Sequence, residues 1–297
     1  MLDYKLLHAL SVLITQQSFE KAANELCVTQ SAVSQRIKLL EQSIGQPVVI
    51  RKHPLTATYI GKKLLAHYQQ VCLLEQAVLP EIEAQNINET ISINMATNAD
   101  SLATWLIEAL GDVTHKHKIA LNLLIADENN TIQYLKNGEV FGAISSQDKP
   151  LPGCTLDKLG DMHYLLVASP LFKKSYFPNG ITMDNLKRAP AAAYDQNDDM
   201  HIRFIKEKFD LPGGSYPCHT VRSSEAFVNF ALKGLAYCLI PKLQIQKELE
   251  DGQLVDLLPN QSLTRTLYWH RWVLLKGAFK HLSDAIINKA KSAILTQ

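Results

Sequence analysis

Gln30, Ser31, Ser34, Gln35 and Lys38 fall on one side of a helix drawn from Thr29 onward, and together they carry amides, hydroxyls and one ammonium. Such groups in that arrangement are poor nucleophiles and poor metal ligands. They are the donors and acceptors that meet base edges and phosphates in a DNA groove. Val33, Ile37, Leu40 and Ile44 recur on the opposite side, an inward stripe of helical period. Thr29 stands where this helix needs an N-cap, and Ser18 stands at the same place for a preceding helix whose apolar face is Phe19, Ala22, Ala23 and Leu26. Two short helices, a tight turn and a polar outer face make the pattern of a helix-turn-helix. A plain helical hairpin shares the periodicity; the polar face and the paired caps favour DNA. The residues expected to touch DNA are Thr29, Gln30, Ser31, Ser34, Gln35, Arg36 and Lys38, joined by Arg51 and Lys52 from the segment that follows.

The elements that must position this face can be read on either side of it. Leu6, Leu10, Leu13 and Ile14 give an apolar face to a first helix over Leu2–Gln16, which packs across the other two. Gly45 ends the third helix. Pro47–Arg51 reads as a short strand, His53-Pro54 as a turn and Thr56–Thr58 as the return, which together make a wing. From Tyr59 to about Leu79 a long helix keeps Leu64, Leu65, Tyr68, Val71, Cys72, Leu74 and Val78 on one side, and Pro80 is expected to stop or kink it. A stripe of that length implies pairing with a second copy. The polar run Gln85–Asn88 reads as a hinge.

Past Glu89 strands and helices alternate. Ile91–Met95, Ala120–Ile125 and Phe141–Ser145 read as strands separated by helices at Ser101–Leu110 and Thr131–Asn137, an order that implies a parallel sheet. A strand at Met162–Ala168 crosses into a second lobe, Thr266–Trp272 returns from it, and Leu282–Leu295 is a closing helix. The expected organisation is a winged helix-turn-helix at 1–58, a dimerisation helix and hinge at 59–88, lobe I at 89–161 and 266–297, and lobe II at 162–265. The fold class is therefore α/β, with an N-terminal winged helix-turn-helix, a long linker helix and a two-lobed effector domain.

Ligands of open α/β sheets sit beyond the carboxyl ends of the strands. The loops there carry Asn98, Asp100 and Ser101, then Asp127 and Glu128, then Ser145, and in the second lobe Asp195, Asp198, Asp199, Ser223, Ser224 and Glu225. Helix N-termini favour a carboxylate and the acidic side chains favour cations, so a basic amino acid fits the set. Taken one at a time, Asp100, Ser101, Ser223 and Ser224 are better explained as helix caps, and Asp198 and Asp199 also fit a solvated first turn; only their convergence on one cleft favours binding.

The run AAxxLxVTQSAVSQRIKxLE from Ala22 to Glu41 resembles the N-terminal signature of LysR-type transcriptional regulators. Further segments, GQPVVIR, NADSLATW, SYFPNG, DDMH, SSEAF and LYWHR, extend the likeness along nearly the whole chain, toward the lysine- and arginine-responsive branch of that family, also called chromosome-initiation inhibitors. The resemblance implies a two-lobed domain similar to periplasmic binding proteins, lysine or arginine as effector, and assembly as a homodimer or tetramer. Double-stranded DNA is the expected partner, RNA polymerase a further one, and genes of amino-acid export or biosynthesis the expected targets. The chromosome-initiation name also admits an architectural or replication-origin role without effector control. One departure concerns the wing, where the family carries a basic residue and a proline before the threonine and this chain has Thr56 and Ala57.

Composition sets the outer limits. The 297 residues allow two or three domains, and a net charge of +1 would not by itself suggest nucleic acid. Locally, Arg36, Lys38, Arg51, Lys52, Lys62 and Lys63 stand against Glu41 alone between Val28 and Lys63, a basic footprint on a neutral chain. The five cysteines are scattered without a CxxC pair, so neither disulfides nor a metal site is expected, and a cytoplasmic, nucleoid-associated protein fits. No signal-peptide pattern or membrane span is read. GxGxxG, GxxxxGK, GxSxG and HExxH are absent, and His163, His201 and His270 are isolated; no catalytic residue, no cofactor and no enzyme activity is expected.

Overall fold

The computed structural model describes residues 2–82, 90–194 and 199–294. The N-terminal head contains α1 (Tyr4–Gln16), α2 (Phe19–Glu25) and α3 (Gln30–Ile44). Both expected caps are in place: Ser18 Oγ accepts from the Lys21 amide at 3.4 Å, and Thr29 Oγ1 from the Ala32 amide at 3.2 Å. Gly45 closes α3 at φ +76°, the left-handed conformation that glycine adopts without steric cost. Leu7, Leu10, Leu13, Ala22, Val33, Ile37 and Leu40 are fully buried in one core, which is what the three apolar stripes demand.

The wing is a two-stranded antiparallel hairpin, β1 (Val49–Ile50) and β2 (Thr56–Ala57). It leads into α4 (Tyr59–Ile82). Thr58 joins the two: its hydroxyl donates to the Pro47 carbonyl at 2.8 Å and accepts from the Gly61 amide at 3.1 Å. The approach is so close that a methyl group at Gly61 would lie 2.1 Å from the Val48 carbonyl oxygen. The stop expected at Pro80 is not observed, because α4 continues to Ile82. The hinge read at Gln85–Asn88 lies outside the described residues.

The remainder forms one mixed sheet with helices around it. In chain order it runs β3 (Ile91–Thr97), α5 (Ala99–Ser101), a π segment (Leu102–Leu106), α6 (Ile107–Lys116), β4 (Ile119–Ile125), α7 (Thr131–Lys136), β5 (Gly142–Ser145) and β6 (Cys154–Ala168). Then come α8 (Pro170–Tyr176), α9 (Met183–Leu186), β7 (Ala191–Ala193), α10 (Asp199–Phe209), β8 (Cys218–Thr220), α11 (Ser224–Leu232), β9 (Tyr237–Pro241) and a 3-10 turn (Lys242–Gln244). The chain ends with α12 (Gln246–Glu250), β10 (Val255–Asp256), β11 (Leu263–Trp272) and α13 (Gly277–Ile294).

The strand order is β4-β3-β5-β11-β6-β9-β7-β8, with β10 added to β6. β3 is parallel to β4 and β5, and β7 is parallel to β8 and β9, so each lobe has its own parallel set. β11 and β6 pair antiparallel from Leu263↔Tyr164 to Trp272↔Cys154 and belong to both lobes. β6 is longer than expected at its N-terminal end, where Asp157, Lys158 and Gly160 interrupt the apolar run that signals a strand. Phe141 meets both Trp269 and Phe279 edge-on at 5.5 Å, part of a core continuous between the lobes.

The Gly61–Val48 approach makes a prediction. Gly61→Ala should destabilise the head by about 1–3 kcal/mol, because backbone on both sides must yield. Thermal unfolding would show a lowered midpoint; an unchanged midpoint would contradict the close approach.

Candidate functional site

On α3 the two faces separate as expected. Thr29, Gln30, Ser31, Ser34, Gln35 and Lys38 are exposed, Arg36 is half-buried, and Val33, Ile37 and Leu40 are buried. Thr29 spends its hydroxyl on the cap and lies 2.9 Å from the Ser31 hydroxyl. Glu41 couples this helix to the wing: one carboxylate oxygen accepts from the Val48 amide at 3.0 Å, and the other lies 3.5 Å from Arg51 Nη2. The Arg51 pair is exposed and correspondingly weak, so Arg51 and the exposed Lys52 keep their charges at the wing surface.

The second site is a cavity of about 940 Å³ between the lobes, at the carboxyl ends of β3, β4, β7 and β8. Lobe I contributes Asn98, Asp100, Asp127, Glu128, Asn129 and Tyr134; lobe II contributes Tyr194, Met200, His201, Arg203, Arg222 and Phe227; Arg265 comes from β11. Three carboxylates and three guanidinium groups thus line the same space.

Asp100 is one of the places where the lobes touch. Its Oδ1 accepts from the Ser224 hydroxyl of α11 at 2.6 Å and its Oδ2 accepts from the Tyr164 phenol of β6 at 2.7 Å. The Ser224 oxygen also lies 3.1 Å from Oε1 of Gln244. Burial, then the Asp100 and Glu128 charges, hold Tyr164 well above the usual phenol range, so it stays a donor. Asp127 shapes its loop by accepting from the amide and the side-chain nitrogen of Asn129, both at 2.8 Å. Glu128 is buried, and its Oε1 stands 4.0 Å from Arg265 Nε.

Asn98 is 3% exposed and neither atom of its side-chain amide has a hydrogen-bond partner, although the residue lines the cavity. An unmet buried polar group costs about 1–3 kcal/mol. Folding tolerates such a group where a ligand satisfies it.

Of the residues expected from the loops, Asn98, Asp100, Asp127 and Glu128 line the cavity together. Ser224 reaches it through Asp100. Ser101 is buried behind it with its hydroxyl unpartnered. Ser145 does not line the cavity: it donates to the Glu128 carbonyl at 2.8 Å and accepts from Gln147 N at 3.2 Å, which fixes the Glu128 loop. Ser223 caps α11, accepting from Ala226 N at 3.2 Å and donating to the exposed Glu225 at 2.9 Å, so this pair serves the helix start. Asp195 and Asp198 lie outside the described residues, as does the side chain of Asp199. Arg203, Arg222, Arg265, Tyr164 and His201 were not anticipated. Arg222 follows β8 and could have been found by the same loop rule; Tyr164 and Arg265 lie within strands, where that rule does not look.

Comparison with known proteins places the chain. Residues 4–62 match the model of bacterial regulatory helix-turn-helix proteins of the lysR family, and residues 85–288 match the LysR substrate binding domain. The HTH-type transcriptional regulator ArgP of Aeromonas salmonicida is 51% identical over 293 residues, covering 99% of this chain and 98% of the relative. ArgP of Photobacterium profundum is 52% identical over 292 residues, covering 98% of each. Among solved structures, ArgP from Mycobacterium tuberculosis has a TM-score of 0.86 at 34% identity, covering 99% of each chain. Full-length LysG from Corynebacterium glutamicum with bound effector Arg has a TM-score of 0.81 at 30% identity, again covering 99% of each. These relatives are transcriptional regulators and not enzymes. With a helix-turn-helix of that family at one end and its substrate-binding fold along the rest, the chain belongs to the LysR family of DNA-binding transcriptional regulators, in the branch of its ArgP relatives.

Proposed function

We propose that this regulator senses a basic amino acid, lysine or arginine, in the cleft between its lobes, and that occupancy sets how its heads sit on DNA. The observation that carries the reading is the unmet Asn98 amide in a cavity lined by both carboxylates and guanidinium groups. An amino acid supplies an acceptor and a donor for that amide, an anion for the arginines, and one or two cations for Asp100, Asp127 and Glu128. The bound arginine of the structurally similar LysG supports the same class of ligand. The effector domain divides, in this reading, at 161/162 and 265/266, and Asp195, Asp198 and Asp199 add to the lobe II wall. The Asp100–Ser224 contact favours the closed cleft, and a ligand that binds the closed form better shifts the population toward it.

At the other end, Gln30, Ser31, Ser34 and Gln35 read bases while Arg36, Lys38, Arg51 and Lys52 meet phosphates. The stripe on α4 pairs two copies, and two dimers make a tetramer. The protein works in the cytoplasm on the nucleoid, with RNA polymerase as a partner and genes of amino-acid export or biosynthesis as targets. Occupancy mapping in cells grown with and without lysine and arginine tests this: binding confined to a replication origin and indifferent to both would favour the architectural role.

Two substitutions test the parts. Ser34→Asp puts a carboxylate against the DNA and should weaken operator binding about tenfold or more in a mobility-shift titration. Retained tight, sequence-specific binding would remove α3 from the interface. For the cleft, titration calorimetry should show heat with lysine or arginine; heat only with an unrelated acid would refute the ligand class. Asn98→Leu should raise the stability of the ligand-free protein by about 1 kcal/mol, by deleting an unmet amide, and weaken effector binding about tenfold or more. A variant less stable than the parent with unchanged binding would assign Asn98 a purely structural role.

A further inference from the structure

Glu128 is only 5% exposed, yet it forms part of the cavity wall. Four charged or titratable groups act on it, while Thr131 of α7 and Ser145 of β5 bind only its backbone carbonyl. Its own loop supplies Asp127, α5 supplies Asp100, β6 supplies the Tyr164 phenol and β11 supplies Arg265. Two of these are carboxylates that oppose a charge on Glu128. Arg265 is the one cation among them, and its Nε stands 4.0 Å from Oε1, beyond hydrogen-bond distance, with no hydrogen-bond partner of its own. Its own backbone amide and Arg265 offset the charge only in part against burial and the two carboxylates, and a cation held against Glu128 from the cavity would offset more of it.

We infer that Glu128 selects a cationic side chain over a neutral one of the same shape, by holding a proton in the empty cleft and surrendering it to solvent when the ligand's ammonium or guanidinium group takes its place. The inference rests on the reading of the cleft as a basic amino-acid site and adds the residue and the proton. Atoms balance: one proton leaves the Glu128 carboxyl for water, one cation enters, and no covalent bond is made. A neutral isostere such as citrulline brings no charge to pair with the ionised carboxylate, so it gains nothing when Glu128 gives up its proton.

Burial, with the Asp127 charge next, raises Glu128 to about 7. For a carboxyl with a raised value the neutral form prevails below that pH and the charged form above it. A cation binds the charged form, so affinity for arginine should climb as pH rises toward 7 and level off beyond it. Proton release should follow the neutral fraction, about nine-tenths of a proton per arginine at pH 6 and about one-tenth at pH 8.

Titration calorimetry of the full chain with arginine, in buffers of different ionisation enthalpy at pH 6 and pH 8, counts those protons in the unmodified protein. The same titrations with citrulline and with Glu128→Gln complete the test. The expected result is release at pH 6 that vanishes in Glu128→Gln, together with about tenfold or greater loss of arginine affinity at pH 8 and no loss for citrulline. Arginine binding without proton release, or with release that persists in Glu128→Gln and so belongs to another lining group such as His201, would overturn the inference and leave the effector reading standing. Failure of both arginine and lysine to bind the unmodified protein would overturn the effector reading and this inference with it.

Discussion

β6 and β11 are the constraint on which the effector domain depends, because each strand is shared by both lobes. Their antiparallel ladder runs unbroken in direction from Leu263↔Tyr164 to Trp272↔Cys154, with one irregularity between Leu267 and Tyr268. β5 pairs with the Tyr268–Arg271 end of β11, and β9 pairs with the Tyr164–Val167 end of β6. The lobes therefore cannot separate without breaking backbone hydrogen bonds. Gly160 sits at that crossing with φ +145°, and a side chain there would press on Ile294 at the end of α13. A residue larger than glycine would be strained at this φ and crowded against Ile294.

The cleft inherits its geometry from the same two strands. Tyr164 and Arg265 belong to the ladder itself, whereas Asp100 and Ser224 arrive from opposite lobes at helix starts. Asp100 accepts from Tyr164 and from Ser224 at once, so one carboxylate ties the shared ladder to the start of α11. The helix that follows Asp100 passes through the π segment Leu102–Leu106 before regular α-helix resumes. Such wide turns recur at functional sites because they absorb an extra residue and re-aim what precedes them. Here the consequence is local: the loop bearing Asn98 and Asp100 is turned into the cavity, and Thr104 returns a hydrogen bond to the Asp100 carbonyl at 2.7 Å.

What could be read from the sequence follows the range of the interactions. The head was legible nearly to the residue, since caps at Ser18 and Thr29, the Val33–Ile37–Leu40 stripe and Gly45 are all local signals. The parallel strands of lobe I were legible for the same reason. β6 was legible only in its apolar half; the rest is held by pairing with β11, more than a hundred residues away. The loops after strands supplied Asn98, Asp100, Asp127 and Glu128, because topology alone puts those loops at one end of the sheet. Nothing local distinguishes Ser224, which meets Asp100, from Ser223, which caps a helix. Helix N-termini already offered the ligand's carboxylate a place, whereas Arg203 stands inside α10, Arg265 inside β11 and Arg222 in the loop after β8.

The head itself is built to resist internal change, which limits how a distant ligand can act on it. Glu41 joins α3 to the wing through the Val48 amide, Thr58 joins the wing to α4, and Gly61 lets α4 pass against the Val48 carbonyl. α1 packs on α4 through Tyr4, His8 and Tyr68, with the Tyr4 hydroxyl 3.1 Å from His67. These contacts leave the recognition helix no independent register to change. α4 in turn lies against lobe I, where a side chain at Gly138 would collide with Ala66 at 2.6 Å. A lobe I that carries α4 carries the whole head, wing included. Under the proposed function, then, turning about the β6–β11 ladder alters where a head is held relative to its partner copy, while the surface that head offers to DNA stays the same. Such a device regulates by spacing, and spacing is what a reader of two half-sites is sensitive to.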